Sequence, residues 1–572
     1  MDWSQIYDES GLDSTPTFPV FHPPLGPPHL LSFASAPSES GYTALACYIF
    51  TINYILGVGC LGVPFGFARA GLVLGSLLVV AVTLLSYATV SYVAESVGRA
   101  EELAKMPCER GSKCWLCLGH HGPGGVCREV TEGTPLKRAE DSYDALPPPT
   151  GGKRGRSDTM DSEADVDWSR AKSYEVVSLC QKFLGTRHVV LYQLSLLGLM
   201  YVGLLAYSQV FANSIQSTLP LVVPRWCLAL LFALLVLPLS LVDLESQITV
   251  QAAMAVARFV AIFIMIIGSL YALWSDPLDN LSPSASPPYL APPSPGKMSY
   301  TWDFTGFGVV FSTALFSQLF QHSVPGLIRP LPPADRPNVN GIFGAALGTT
   351  CFLYLLLGIT AAVYFGKDTS SSINLNFTDF YYGLTLETAS RAQLTLISIL
   401  SQIVVLFPAL DTLSVFPLIC NTLGNNLNSA TPGFSRAVNS LLKARGDTRP
   451  APERRRLSQS VSSAFFRLTA AVPPIVLSVY CSDLAFSLQL AGVAGLYVAF
   501  VCPCLLQIES VKTMRRNELA LYNDYSGWHS SKAVCWLVLV FAGLSGVVVG
   551  SQVWTSIIEL LRDGDSESQT DN

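Results

Sequence analysis

Charge is what this sequence has least of. Only 13% of its 572 residues are Asp, Glu, Lys or Arg, while 50% are hydrophobic. The apolar residues arrive in blocks of about twenty, which excludes an ordinary soluble domain and identifies an integral membrane protein. The first 42 residues contain no Lys or Arg. With a first apolar run too long for a signal h-region, this argues against a cleaved signal peptide. No cluster of basic residues stands out as a nucleic-acid surface. The net charge of −6 says little, because distribution matters more than total here.

Eleven spans are predicted: 43–65, 72–94, 189–212, 226–242, 250–273, 304–327, 341–365, 392–416, 464–481, 484–506 and 533–558. The weakest are 226–242, which is short, and 464–481, interrupted by Pro473 and Pro474. The expected fold is therefore an all-α polytopic membrane protein. With the N-terminus inside, connections 95–188, 328–340, 417–463 and 507–532 share the cytoplasmic side and hold most loop Lys and Arg, including Arg99, Arg154, Arg445 and Arg454. Two glycosylation sequons, at Asn280 and Asn376, then fall in loops on the opposite side, so a glycoprotein is expected. Residues 1–42 read as a disordered cytoplasmic N-terminus and 275–303 as an extended luminal loop. Residues 98–188 read as a cytoplasmic insert carrying Ser157 and Ser162 in a charged setting, and 559–572 as an acidic tail.

Two spans carry breakers. Gly57, Gly59, Gly62 and Pro64 fall within eight residues of the first. Glycine relaxes the helix and proline removes a donor, so main-chain groups near mid-membrane lose their partners. Lipid cannot replace them, and such breaks line binding sites in transporters. The alternative is a straight helix whose glycines allow close packing. The sixth span carries Gln321, His322 and Ser323 just before Pro325 and Gly326. Interruption of the first and sixth spans is the pattern of two inverted five-helix halves plus one extra helix.

His322 is the one histidine inside a span, placing it at the substrate or gate, or as a structural hydrogen bonder. Asp411, beside Thr412 and Ser414, either holds a cation or proton or sits at the cytoplasmic interface. Arg258 and Arg467 are expected to snorkel from cytoplasmic ends. In the insert, Cys114 and Cys117 have metal-knuckle spacing. His120 or His121 with Cys127 or Cys108 would complete a structural zinc site, but no second CxxC follows. A redox or lipid-modified cysteine patch, or no organised site, are the alternatives.

Gly57-Val-Gly-Cys-Leu-Gly-Val-Pro64 with Phe67-Ala-Arg-Ala-Gly71 resembles the first-helix signature of the amino acid/auxin permease family, and Phe320-Gln-His-Ser-Val-Pro325 resembles its sixth-helix segment. Arg258, Leu406-Phe-Pro408, Phe416-Pro417, Cys481-Ser-Asp-Leu484 and Gly492-Val-Ala-Gly495 are similar to a divergent branch. The resemblance implies a sodium- or proton-coupled amino acid symporter. It puts the substrate on Gly57, Val58, Gly59, Cys60, Gly62, Gln321, His322 and Ser323, with its carboxylate on main-chain amides. Asn53 matches a first-helix asparagine near the sodium site, and Asp411 with Thr412 completes the expected ion-coupling set. Asp411 itself departs from the branch. A non-transporting amino acid sensor acting through the insert is the alternative. A membrane acyltransferase built on His322 would not need two broken spans, so no enzyme is expected. The expected partners are an amino acid and the lipid bilayer, with plasma membrane and endolysosome both open.

Overall fold

The computed structural model describes residues 43–105, 174–241, 248–275, 302–378, 380–382, 390–445 and 450–570. The N-terminal 42 residues, the Cys114, Cys117, His120 and Cys127 cluster, Ser157, Ser162 and Asn280 lie outside them. Sixteen α-helices follow in order: α1 (Ala44–Ile55), α2 (Gly59–Ala70), α3 (Leu72–Ala104), α4 (Val176–Phe183), α5 (Thr186–Thr218), α6 (Arg225–Leu241), α7 (Ile248–Ser275) and α8 (Phe307–Ser317). After these come α9 (Val324–Ile328), α10 (Val339–Phe365), α11 (Arg391–Ala430), α12 (Pro432–Ala444), α13 (Ala451–Tyr480), α14 (Leu484–Leu496), α15 (Cys502–Arg516) and α16 (Lys532–Thr570). No strand occurs among the described residues. Eight helical stretches are long and apolar enough to cross a membrane, or up to nine if α1 and α2, bent by 56° at their junction, form one span.

Long apolar runs force this architecture, because a helix satisfies its own backbone where no water is available. Pro473 and Pro474 do not interrupt α13, which is helical throughout 451–480. Helix α3 continues to Ala104, and α4 and the start of α5 occupy the end of the expected insert. At the C-terminus the helix runs on to Thr570, through most of the expected tail.

The centre of the molecule is a chain of contacts in which α2 packs on α8 and α10, α8 on α14, α14 on α5, and α5 on α11. Glycine permits the first of these. A Cβ on Gly66 would lie 3.0 Å from Val310 Cα, and one on Gly59 3.2 Å from Ser317 Cα. Gly62 faces Thr313 of the same helix. Small residues at about one-turn spacing let two backbones meet, which is how membrane helices gain dispersion contact without a hydrophobic driving force.

A polar cluster joins α3 to α15 and to the connection before α16. Glu95 and Arg99 form an ion pair one turn apart on α3, both buried. Glu95 also accepts from Gln507 Nε2 at 2.9 Å and Ser530 Oγ at 2.6 Å, while Arg99 donates to Leu521 O at 3.2 Å and Ser510 Oγ at 2.9 Å. Arg99, expected in a cytoplasmic loop, is thus a buried structural cation. His529, in the 517–531 connection, is buried with Nε2 3.6 Å from Glu95 Oε1. Burial holds its imidazole below the ordinary value, against the smaller opposing pull of Glu95.

Two outcomes follow from these contacts. Gly66→Leu drives a side chain into the α8 backbone, so its unfolding midpoint should fall, reflecting a loss of roughly 1–3 kcal/mol; an unchanged midpoint would remove the close contact. Because His529 has a lowered folded value, its contribution is full above the unfolded value of about 6.5 and is lost as pH falls through the folded value. The midpoint of the parent protein should therefore drop more between about pH 7.5 and pH 5 than that of His529→Gln. Equal drops would exclude His529 as the cause.

Candidate functional site

The first apolar run breaks at Leu56-Gly57-Val58, earlier and over fewer residues than the predicted Gly57–Gly62. Gly59, Cys60, Gly62 and Pro64 are all helical in α2. Glycine accounts for the shift: Gly59 and Gly62 serve close packing on α8, so both expected roles of the glycines are present, one after the other along the chain. Leu56 N–H still reaches Ile52 O at 2.8 Å, closing α1. Beyond it, the carbonyls of Asn53, Ile55 and Leu56 have lost their usual donors four residues ahead.

Arg258 of α7 takes two of them. Its Nη1 donates to Asn53 O at 3.3 Å, to Asn53 Oδ1 at 2.9 Å and to Leu56 O, and its Nη2 donates to Asp411 Oδ1 at 2.7 Å. Arg258 and Asp411 are each 4% exposed. Arg258 is therefore enclosed by protein rather than snorkelling, and Asp411 of α11 is enclosed with it. Lone opposite charges in apolar helices are stable only together, since burying either unpaired costs far more than burying the pair. The guanidinium also sits at the negative end of α1, where a cation is favoured.

The apolar stretch 304–328, expected as the sixth span, breaks at Gln318-Leu319-Phe320, between α8 and a short 3₁₀ turn at Gln321–Ser323. Pro325 then falls in the first turn of α9, where its missing N–H costs nothing. Side chains replace the lost main-chain bonds. Phe320 N–H donates to Gln321 Oε1 at 3.0 Å, and Gln321 Nε2 donates to Thr89 Oγ1 at 3.1 Å. Gln318 is held between Thr83 (3.1 Å) and Thr350 (3.3 Å). One residue connects the two breaks: the Tyr354 hydroxyl of α10 lies 3.1 Å from Ile55 O and 3.2 Å from Ser317 O, shared between the last carbonyls of α1 and α8.

These contacts sort the expected site residues. Asn53, Gly57, Val58, Cys60 and Asp411 gather around Arg258. Gln321 is turned to α3, and Ser323 meets the Tyr54 hydroxyl. His322 Nδ1 is buried without a hydrogen-bond partner among the described residues. Thr412 donates to Ala409 O of its own helix at 2.7 Å, away from Asp411. Asn376 holds the 366–378 loop, accepting from Ser370 N and donating to Asp368 O. Two cavities flank Arg258. One, of about 150 Å³, lies among α1, α7 and α10; the other, of about 20 Å³, lies among the start of α2, α7 and α11 and is lined by Asp411 and Cys60. Space therefore opens beside the first break toward α7, and neither cavity is lined by Gln321, His322 or Ser323.

No family model matches the chain. It is similar to proteins named transmembrane protein 104. Identity to the Dictyostelium discoideum transmembrane protein 104 homolog is 23% over 504 residues, 84% of this chain and 91% of that protein. For the Caenorhabditis elegans homolog it is 23% over 551 residues, 90% and 97% respectively. For transmembrane protein 104 of Gallus gallus it is 21% over 497 residues, 81% and 87%. The likeness runs over most of both chains, and with the apolar helices it supports a multi-pass membrane protein similar to transmembrane protein 104. Those names carry no activity.

Arg258 was the residue that sequence reasoning misplaced, and a signal for it exists: an intramembrane Arg and an intramembrane Asp each call for a partner. Tyr354 and Tyr207, whose hydroxyl would lie 3.0 Å from a Cβ on Gly57, carry no signal beyond being tyrosines in apolar runs. Asp411→Ala should cost roughly 3–5 kcal/mol by leaving Arg258 unpaired. Arg258→Met combined with Asp411→Leu should recover only part of that, because the Asn53 and Leu56 carbonyls remain without a donor. Full recovery, measured by thermal unfolding, would show that Arg258 does not serve the break.

Proposed function

We propose that the protein is a secondary active transporter that moves amino acids or similar small zwitterions by symport, with substrate and coupling ion meeting at the break between α1 and α2. The observation that carries this reading is the shared Tyr354 hydroxyl, which ties the broken end of α1 to the broken end of α8. Two apolar crossings interrupted side by side are costly in lipid and useful where a site must be built from half-helices. Eleven crossings are reached by adding the bent pair, α6 and the interrupted 304–328 stretch to the eight long helices. The interrupted ones are then the first and the sixth, as two inverted halves require. The resemblance of Gly57–Gly71 and Phe320–Pro325 to the amino acid/auxin permease family points the same way.

Of the two coupling ions, the geometry favours the proton. Sodium at such a site is held by unwound carbonyls and nearby oxygens, and here the Asn53 and Leu56 carbonyls, Asn53 Oδ1 and Asp411 already surround a guanidinium. Coupling is assigned to the Arg258–Asp411 pair rather than to Thr412. The test is uptake into proteoliposomes under separately imposed proton and sodium gradients with a panel of amino acids. Proton-driven uptake, reduced at least about tenfold in Tyr354→Phe while the protein stays inserted, is expected. Binding with no flux under either gradient would replace the carrier by the sensor.

A further inference from the structure

We propose that Arg258, and not the main-chain amides of the broken helix, anchors the substrate's carboxylate, in the cavity of about 150 Å³ among α1, α7 and α10. This deepens the carrier reading and rests on it for the word substrate; the binding site itself does not require flux.

Counting donors leads to it. At the break, Cys60 N–H donates to Gly57 O and Leu61 N–H to Val58 O, each at 3.2 Å. These turns occupy the Cys60 and Leu61 amides at the start of α2. Arg258 has five N–H donors. Its Nη1 and Nη2 serve Asn53, Leu56 and Asp411, but its Nε is buried and has no hydrogen-bond partner among the described residues. The side chain lines the cavity. A charged donor left over in a dry place beside an empty space is what an anionic group would seek.

Charge and size then narrow the ligand. Arg258 and Asp411 together are neutral, so a bare carboxylate would add an uncompensated buried charge, whereas a zwitterion adds none. Asn53 Oδ1 and the Tyr48 and Thr349 hydroxyls, which are 2.9 Å apart, offer oxygens to an ammonium group. The remaining walls include Ile52, Ala255 and Phe259, which suit an aliphatic side chain. A cavity of this volume holds a molecule about the size of benzene. The ligand class is a small aliphatic zwitterion.

The test uses the full chain in phosphatidylcholine nanodiscs and reads the thermal unfolding midpoint against glycine, L-alanine, L-serine, propionate, ethylamine and L-tryptophan. At least one of the three small zwitterions should raise the midpoint saturably. Propionate and ethylamine should act more than about tenfold more weakly, and tryptophan should not act. Arg258→Lys keeps the charge but not the guanidinium fork, and should raise the half-saturating concentration by more than about tenfold. Should that variant fail to fold, Ala255→Phe fills the cavity without touching the ion pair and should abolish the shift. An unaltered response in Ala255→Phe overturns the inference while leaving the carrier reading in place. A response lost in Ala255→Phe, without uptake under any gradient, keeps the inference and removes the carrier. No response to glycine, alanine or serine overturns it.

Discussion

Main-chain carbonyls released inside a bilayer must find a donor, and in this protein one guanidinium supplies it. Arg258 reaches across from α7 to the end of α1 and is itself balanced by Asp411 of α11. Three helices are thereby fixed to one point at the level where the first crossing changes direction. The bend of 56° is tolerable because its broken bonds are replaced. Without the arginine, the unpaired carbonyls would favour straightening α1 onto α2, closing the space on which a binding site depends.

The second break is managed differently, and the contrast matters. Gln318 and Gln321 satisfy it with neutral amides pinned to threonines of α3 and α10. Neutral bonds of this kind lock a shape, whereas a buried ion pair responds to any charge brought near it. The α1–α7–α11 side therefore carries a buried ion pair, and the α3–α8 side is held by neutral bonds. Tyr354 couples the two halves, because its single hydroxyl proton is shared between Ile55 O and Ser317 O. A change in either helix end alters what the hydroxyl offers the other. At the far end of α3, the Glu95–Arg99 cluster holds the connection before α16 and gives the scaffold a fixed base.

Much of this was legible in the sequence, and the failures have physical causes. Apolar length alone marks the crossings, because burying polar backbone in lipid leaves the helix as the available answer. Pro325 and the Gly57–Pro64 cluster mark two apolar stretches whose helices are interrupted. The position of the first break was misread because small residues serve unwinding and close packing equally well: Gly57 does the former, Gly59, Gly62 and Gly66 the latter. The same ambiguity made Pro473 and Pro474 look like an interruption that α13 does not have. Arg258 and Asp411 were each judged singly, against their own helix ends, when their 153-residue separation conceals that each is the other's partner. Gln321 was read as facing a ligand because polar residues at a break can serve either substrate or backbone; here the backbone claims it.

The central claim is that the cation at the first break is Arg258 itself. Thermal unfolding in sodium chloride against choline chloride at equal ionic strength tests it directly. The midpoint of the parent protein should be the same in both salts, and Arg258→Ala, which vacates the carbonyls and Asp411, should become selectively stabilised by sodium. Saturable stabilisation of the parent protein by sodium would contradict the account.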